Sequence, residues 1–284
     1  MMANPDIKIA GVTGWPVHHS LSPFIHNIWL KELGINGAYT LFAIHPNEAV
    51  RAFRSLTRTT ISGVNVTIPL KEKAYEAADI LTPEAQKLGA CNLLYTQGEN
   101  LVGHNTDVEG FLDPLLKKVG RQFILGNTVL VIGAGGAARA VISALLSIGA
   151  PEIRMINRND KRAEILAKQI NIPSLYAIPW KERGNAIYGT GLVINASAGG
   201  MKNGNALDID LSYVMPDGYV YDLVYTPENT ELLQQAWDLG LKTIGGIDML
   251  IAQARPSFRL LFGQEAPLNI GLKNSLTQKL KDAR

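Results

Sequence analysis

A chain of 284 residues is long enough for one or two domains with a substantial buried core. Its 27 Lys and Arg against 25 Asp and Glu leave a formal charge of +2, a near balance that argues against nucleic-acid binding and membrane-surface adhesion. The single cysteine, Cys91, excludes an intrachain disulfide; with no basic, apolar leader and no apolar stretch of bilayer length, a soluble cytoplasmic protein is expected.

Residues 8–12, 39–44, 63–67 and 91–95 read as short apolar strands. Residues 23–33, 47–56, 71–78 and 83–88 alternate with them as helices, which predicts an α/β layer with a mostly parallel sheet. The segment from Gly14 to His26 ends the first strand and opens the first helix. Ser22 before Pro23 reads as an N-cap with proline at the first helical position. Ser20 lies two residues earlier, so both hydroxyls converge on a helix N-terminus suited to a small carboxylate. His18, His19 and His26 lack matching Cys, Asp or Glu ligands, so no metal site is expected.

At the next strand-to-helix junction Lys71 falls in the first helical turn, where a cation opposes the helix dipole. A residue set against a local rule is a functional candidate. Lys73 points to another face, and Thr67 at the strand end can donate to the same ligand. Cys91 reads as inert packing. Asn92 beside it is an amide among apolar neighbours, which needs hydrogen-bond partners. Asp107 stands at the start of a helix at 107–118, where capping alone would account for it.

From residue 127 the β-α-β rhythm resumes, with strands near Val129, Ile153, Leu192, Tyr219 and Lys242. The first of them runs into Gly133, Ala134, Gly135, Gly136 and Ala137. Gly133 permits a tight turn, Gly135 lets a pyrophosphate approach the backbone, and Ala138 allows close packing of helix on strand. A NAD-binding unit usually places an acid about twenty residues further on, against the ribose. Here stand Asn157, Arg158 and Asn159, with Arg162 a turn beyond. Two guanidinium groups four residues apart on one helix face can clamp a 2′-phosphate. The expected cofactor is therefore NADP(H). Gln253 is a polar intrusion on an apolar helix, and Pro256 is expected to kink or end that helix. The organisation expected is a substrate-binding domain at 1–106, completed by C-terminal helices at 247–284, around a Rossmann-type NADP-binding domain at 107–246. Such an insertion predicts a cleft between two lobes.

With these residues the chain resembles the shikimate dehydrogenase family over essentially its whole length. The matching sets are Ser20 to Pro23, Asn65 to Lys71, Gly89 to Asn92, Asn105 to Asp107, Gly133 to Ala137, Asn157 to Arg162 and Met249 to Gln253. The resemblance implies NADP-dependent, reversible interconversion of 3-dehydroshikimate and shikimate, within chorismate and aromatic amino-acid biosynthesis. It implies that Ser20 and Ser22 hold the substrate carboxylate, and that Thr67, Asn92, Tyr225 and Gln253 also contact substrate. Lys71 and Asp107 match the catalytic pair, which also touches substrate, while Leu223 and Gly246 match positions at the nicotinamide end of the cofactor site. Ser197 and Ala198 stand where Thr and Pro are common in the family. Lys71 is expected to be the acid in reduction and the base in oxidation, oriented by Asp107. Two alternatives stand beside this reading: a quinate/shikimate dehydrogenase with relaxed substrate or cofactor choice, and a non-catalytic NADP-sensing regulator, which a damaged catalytic pair would favour. The expected partners are the small-molecule substrate alone, in a monomer or homodimer.

Overall fold

The computed structural model describes residues 7–201, 206–268 and 271–282. The chain divides into two compact units, Met1–Asp107 with Leu250–Leu276, and Val108–Met249 with Thr277–Arg284. The C-terminal helices are thus shared between the units rather than all completing the first.

The first unit runs β1 (Lys8–Gly14), α1 (Ser22–Glu32), β2 (Gly37–Ala43), α2 (Ala49–Arg54), β3 (Ile61–Val66), α3 (Lys71–Ala77), β4 (Ile80–Leu81), α4 (Pro83–Leu88), β5 (Leu93–Gln97) and β6 (Asn100–His104). The long helix α5 (Asp107–Lys118) follows. Its sheet has the order β2-β1-β3-β5-β6-β4. Three of the five pairings are parallel, while β5 is antiparallel to both β3 and β6. The antiparallel pair exists because Gly98, at φ 61°, closes a two-residue turn between β5 and β6. Phe53, Leu70, Leu94 and Leu101, all fully buried, centre the core of this unit.

The second unit continues with α6 (Arg121–Leu125), β7 (Val129–Ile132), α7 (Gly136–Ser147), β8 (Ile153–Ile156), α8 (Asp160–Ile170), β9 (Leu175–Ala177), α9 (Arg183–Ile187), β10 (Leu192–Asn195), β11 (Tyr219–Asp222), α10 (Glu231–Asp238) and β12 (Lys242–Ile244). Every pairing of its sheet is parallel, in the order β12-β11-β10-β7-β8-β9. That is the doubly wound dinucleotide-binding order, and it reverses between β7 and β10. Separate apolar clusters cover the two faces, one including Val129, Val131 and Leu145, the other Leu130, Ile132 and Leu233. Burial on both sides explains why β7 reads as an unbroken apolar run.

Two helical expectations change. The backbone at Leu21 is already helical, so α1 starts at Ser22 and no side chain caps it. Ser20 acts instead, its Oγ accepting from the Ser22 N–H at 3.3 Å. Helix α11 (Gly246–Phe262) carries Pro256 inside and continues past it. A proline within a helix costs about 3 kcal/mol. Burial of Leu250, Ala254, Phe258, Leu261 and Phe262 on this helix offsets that cost. The last helix is α12 (Leu272–Asp282). Among the described residues no helix is long and apolar enough to cross a membrane.

Candidate active site

Strand directions bring the functional residues of the first unit to one edge of its sheet. Because β1 and β3 are parallel and β5 and β6 alternate, the segments after β1, β3 and β6 and the one before β5 open on the same edge. Those segments carry Ser20 and Ser22, Thr67 and Lys71, Asp107, and Asn92.

Lys71 opens α3, and its Nζ donates to Asp107 Oδ2 at 2.5 Å. The two side chains are 22% and 5% exposed, so the ammonium still reaches solvent while the carboxylate does not. Capping does not account for Asp107. It is the first residue inside α5, its N–H is taken by Asn105 Oδ1 at 2.9 Å, and its carboxylate oxygens meet the side chains of Lys71 and Asn92. Its Oδ1 accepts from Asn92 Nδ2 at 2.8 Å. Asn92 is 5% exposed and fully engaged: Nδ2 also donates to Thr106 Oγ1 at 2.9 Å, and Oδ1 accepts from the Thr106 N–H at 2.8 Å. Expected to meet substrate, Asn92 here has its amide hydrogens on protein acceptors, one of them Asp107. Lys73 pairs with Glu76 at 2.9 Å on the surface, as its helix face requires.

Ser22 and Gln253 connect to a buried polar chain that the residue pattern did not expose. Ser22 hydrogen-bonds the Tyr39 hydroxyl, whose burial pushes its pKa up. Tyr39 donates to Asn65 Oδ1 at 2.8 Å, and Asn65 Nδ2 donates to Ser257 Oγ at 2.8 Å. Ser257 in turn donates to the Gln253 carbonyl at 3.2 Å. Asn65 sits between buried Val64 and Val66, the same signal that singled out Asn92. Tyr39 carried no such signal. Thr67 is held by its backbone, its N–H donating to the Thr13 carbonyl at 2.8 Å. Cys91 is fully buried, and burial pushes its thiol up to about 12, consistent with packing rather than nucleophilic chemistry. His18 and His19 stack edge-on at 5.3 Å, and no group of three metal-ligating side chains occurs among the described residues.

In the second unit, Gly133 sits at the strand-order reversal with φ 121°. A Cβ there would lie 2.9 Å from the Ala196 carbonyl oxygen, so only glycine lets the turns after β7 and β10 pass this closely. At Gly135 and Gly136 a Cβ would meet nothing within 4 Å. Helix α7, twelve residues long, starts there with neither a side-chain cap nor an acid in its first turn. Ala134 and Ala137 are half-buried beside it, and Ala138 is fully buried against the sheet. Free N–H donors, a positive helix end and clear space above it fit a dinucleotide pyrophosphate.

The arginines are arranged differently from the helix-face expectation. Asn159 caps α8, its Oδ1 accepting from the Arg162 N–H at 3.3 Å, so Arg158 precedes the helix and only Arg162 lies within it. The Arg158 guanidinium instead donates to the Ala206 carbonyl and lies over the Trp180 ring. Asn157 Nδ2 closes the turn on the Asn159 carbonyl at 2.9 Å. Asp160, the acid in the first turn of α8, accepts from the Trp180 N–H at 2.8 Å.

Behind the turns after β10 and β11, Asp222 is fully buried, and burial pushes its carboxyl up. It accepts from Asn195 Nδ2 at 2.8 Å, the Val224 N–H at 3.0 Å and Thr230 Oγ1 at 2.6 Å. Asn195 Oδ1 in turn accepts from the Ser197 hydroxyl at 2.7 Å. A Cβ at Gly246 would overlap the Leu223 carbonyl, so those two positions touch through backbone. Tyr225 follows β11, half-buried, with its hydroxyl pKa raised by desolvation.

Comparison with known proteins adds to this geometry. Residues 12–94 match the shikimate dehydrogenase substrate binding domain, and residues 116–201 match the shikimate / quinate 5-dehydrogenase family. The chain is 40% identical to a shikimate dehydrogenase (NADP(+)) of Paramagnetospirillum magneticum, covering 94% of this chain and 96% of that protein. It is 39% identical to one of Rhodospirillum rubrum, over 98% of this chain and all of that protein. Among solved structures it is similar to the shikimate 5-dehydrogenase of Thermus thermophilus in complex with NADP(H) and shikimate, with a TM-score of 0.82 and 33% identity, covering 98% of this chain and all of that one.

Proposed function

Since the chain belongs to the shikimate dehydrogenase family, we propose that it reversibly reduces 3-dehydroshikimate to shikimate with NADP(H), Lys71 carrying the proton and Asp107 holding Lys71 in place. The single observation behind these roles is the 2.5 Å pair between Lys71 Nζ and a carboxylate whose other oxygen is fixed by Asn92. When bound, NADPH supplies a hydride to the ketone carbon. Negative charge then gathers on the ketone oxygen, and the Lys71 ammonium donates a proton to it, completing the hydroxyl group. In the oxidative direction the neutral Lys71 amine takes that proton back. Asp107 accepts a hydrogen bond from Nζ and so fixes the direction of the remaining N–H bonds. Asn92 keeps the Asp107 carboxylate from rotating.

Ser20 and Ser22 receive the substrate carboxylate beside the start of α1. By the family resemblance, Thr67, Gln253 and Tyr225 take the ring hydroxyls and the surroundings of the carboxylate. The glycine turn and the uncapped start of α7 hold the pyrophosphate, Arg158 and Arg162 hold the 2′-phosphate, and Leu223 and Gly246 line the nicotinamide end. On this reading the first unit binds substrate and the second NADP. A monomer or homodimer working in the cytoplasm accords with the single buried thiol and the near-neutral charge.

The test is an absorbance assay at 340 nm with purified protein, shikimate or quinate, and each oxidised nicotinamide cofactor. Turnover of shikimate with NADP+ at a kcat/KM well above that with NAD+ or quinate is expected. No turnover of shikimate with either cofactor would overturn the reading.

A further inference from the structure

We infer that Trp180 is the positioning residue that gives this protein its preference for a 2′-phosphorylated cofactor. The inference deepens the assignment of Arg158 to the 2′-phosphate and rests on it.

Three observations meet at this side chain. First, the Arg158 guanidinium carbon lies 5.9 Å from the centre of the indole ring, within the range of cation–π attraction. Arg158 precedes the helix, so no helical backbone fixes its course; the indole surface and the Ala206 carbonyl do so instead. Second, the ring is itself held. The Arg183 guanidinium carbon lies 5.4 Å from its centre, and Arg183 is tied down by the Trp180 carbonyl at 3.3 Å, the Asp208 carbonyl at 2.8 Å and the Asp208 carboxylate. The indole also packs on the apolar cluster of Ile132, Ile156 and Val193. Third, the backbone of the same residue engages the acid in the first turn of α8, the Trp180 N–H donating to Asp160 Oδ1 at 2.8 Å.

An acid at the end of the second strand is what a NAD-binding unit uses on the ribose hydroxyls. Here Asn157 follows β8 instead, Asp160 lies in the first turn of α8, and Trp180 engages Asp160 through its N–H and steadies Arg158 through its ring. The cation is thereby held before the ligand arrives. Holding a long side chain in advance spares the entropy that binding would otherwise consume.

The experiment measures binding of NADP+ and of NAD+ to the intact protein by calorimetry, without turnover, for the native chain and for Trp180→Leu and Trp180→Phe. Leucine keeps apolar bulk against the cluster but offers no aromatic face. A cation–π contact at such a site corresponds to about three- to tenfold in affinity. Trp180→Leu is expected to weaken NADP+ by that factor while NAD+ changes less than about twofold, and Trp180→Phe is expected to retain most of the native preference. Equal weakening of both cofactors in Trp180→Leu, or an unchanged preference, would overturn the inference while leaving the arginine assignment standing. A native protein that binds NAD+ as tightly as NADP+ would instead overturn the arginine assignment, and the inference with it.

Discussion

Replacing Lys71 by methionine tests the proposed chemistry most directly. Methionine keeps an unbranched apolar stem and removes the ammonium. A positioned acid–base group contributes about 10²–10⁴-fold, or about 3–5.5 kcal/mol of barrier. The structure places Lys71 inside that range. Its Nζ is anchored at 2.5 Å by an oriented carboxylate, which favours the upper half. Its side chain is 22% exposed, however, so water can partly stand in as proton donor, which favours the lower half. A fall in kcat of about 10³, with KM for shikimate moving less than tenfold, is expected in the NADP+-linked assay at 340 nm. Asp107→Asn retains the hydrogen bond from Asn92 but removes the charge facing Lys71, and should lower kcat by about 10–10². Because the two residues act as a unit, the double variant should lose little more than Lys71→Met alone. A Lys71→Met enzyme turning over within threefold of the native rate, with an unchanged melting curve, would refute the argument. Fully multiplicative losses in the double variant would refute the coupling.

Arg158→Ala with Arg162→Ala should raise KM for NADP+ by about tenfold or more, as expected when charge-assisted contacts are lost at an exposed site, and leave KM for NAD+ nearly unchanged. Equal effects on both cofactors would remove these residues from 2′-phosphate recognition. Gly133→Ala forces a Cβ to within 2.9 Å of a backbone oxygen at φ 121° and should cost about 1–3 kcal/mol, lowering Tm by several degrees. Gly135→Ala meets open space at ordinary φ, so it should melt like the native protein yet bind NADP+ more weakly; matching Tm losses for both would sink the distinction. His26 is buried, stacked on Tyr39 at 4.0 Å, with its pKa lowered to about 3 by desolvation. From pH 6.5 down toward 3 the unfolded chain binds a proton that the folded one refuses, so stability present above pH 6.5 is lost as pH falls, at up to about 1.4 kcal/mol per unit. His26→Phe should remove about 3 kcal/mol of the acid loss between pH 6.5 and 4 in urea melts; parallel pH profiles would contradict it.

Much of this architecture was legible because its signals are local. β7, the glycine turn and α7 follow one another within some twenty residues, and each obeys a steric rule visible in the residue types. Lys71 and Asn92 stood out because each breaks a rule, a cation at a helix start and an amide among apolar neighbours. Asp107 was harder, since capping alone would have accounted for it; only the structure reveals that its carboxylate meets Lys71 and Asn92. β6 was missed because Asn100-Leu-Val-Gly-His104 is too short and mixed to carry a period, and its pairing depends on the Gly98 turn. The course of Arg158 was also out of reach. It depends on where α8 is capped and on Trp180, twenty-two residues away in sequence and brought close only by the parallel pairing of β8 and β9.

The buried Asp222 has a bearing on how this lineage can vary. Through Asn195 it secures the turn carrying Ser197 from behind, and the hydroxyl at 197 closes the network by donating to Asn195 and accepting from the Gly199 N–H at 3.0 Å. Serine and threonine answer that demand equally well, whereas Ala198 has no side-chain hydrogen bond to supply. Positions 197 and 198 are therefore ones where the side chain can change while the hydrogen-bonded scaffold beneath stays in place.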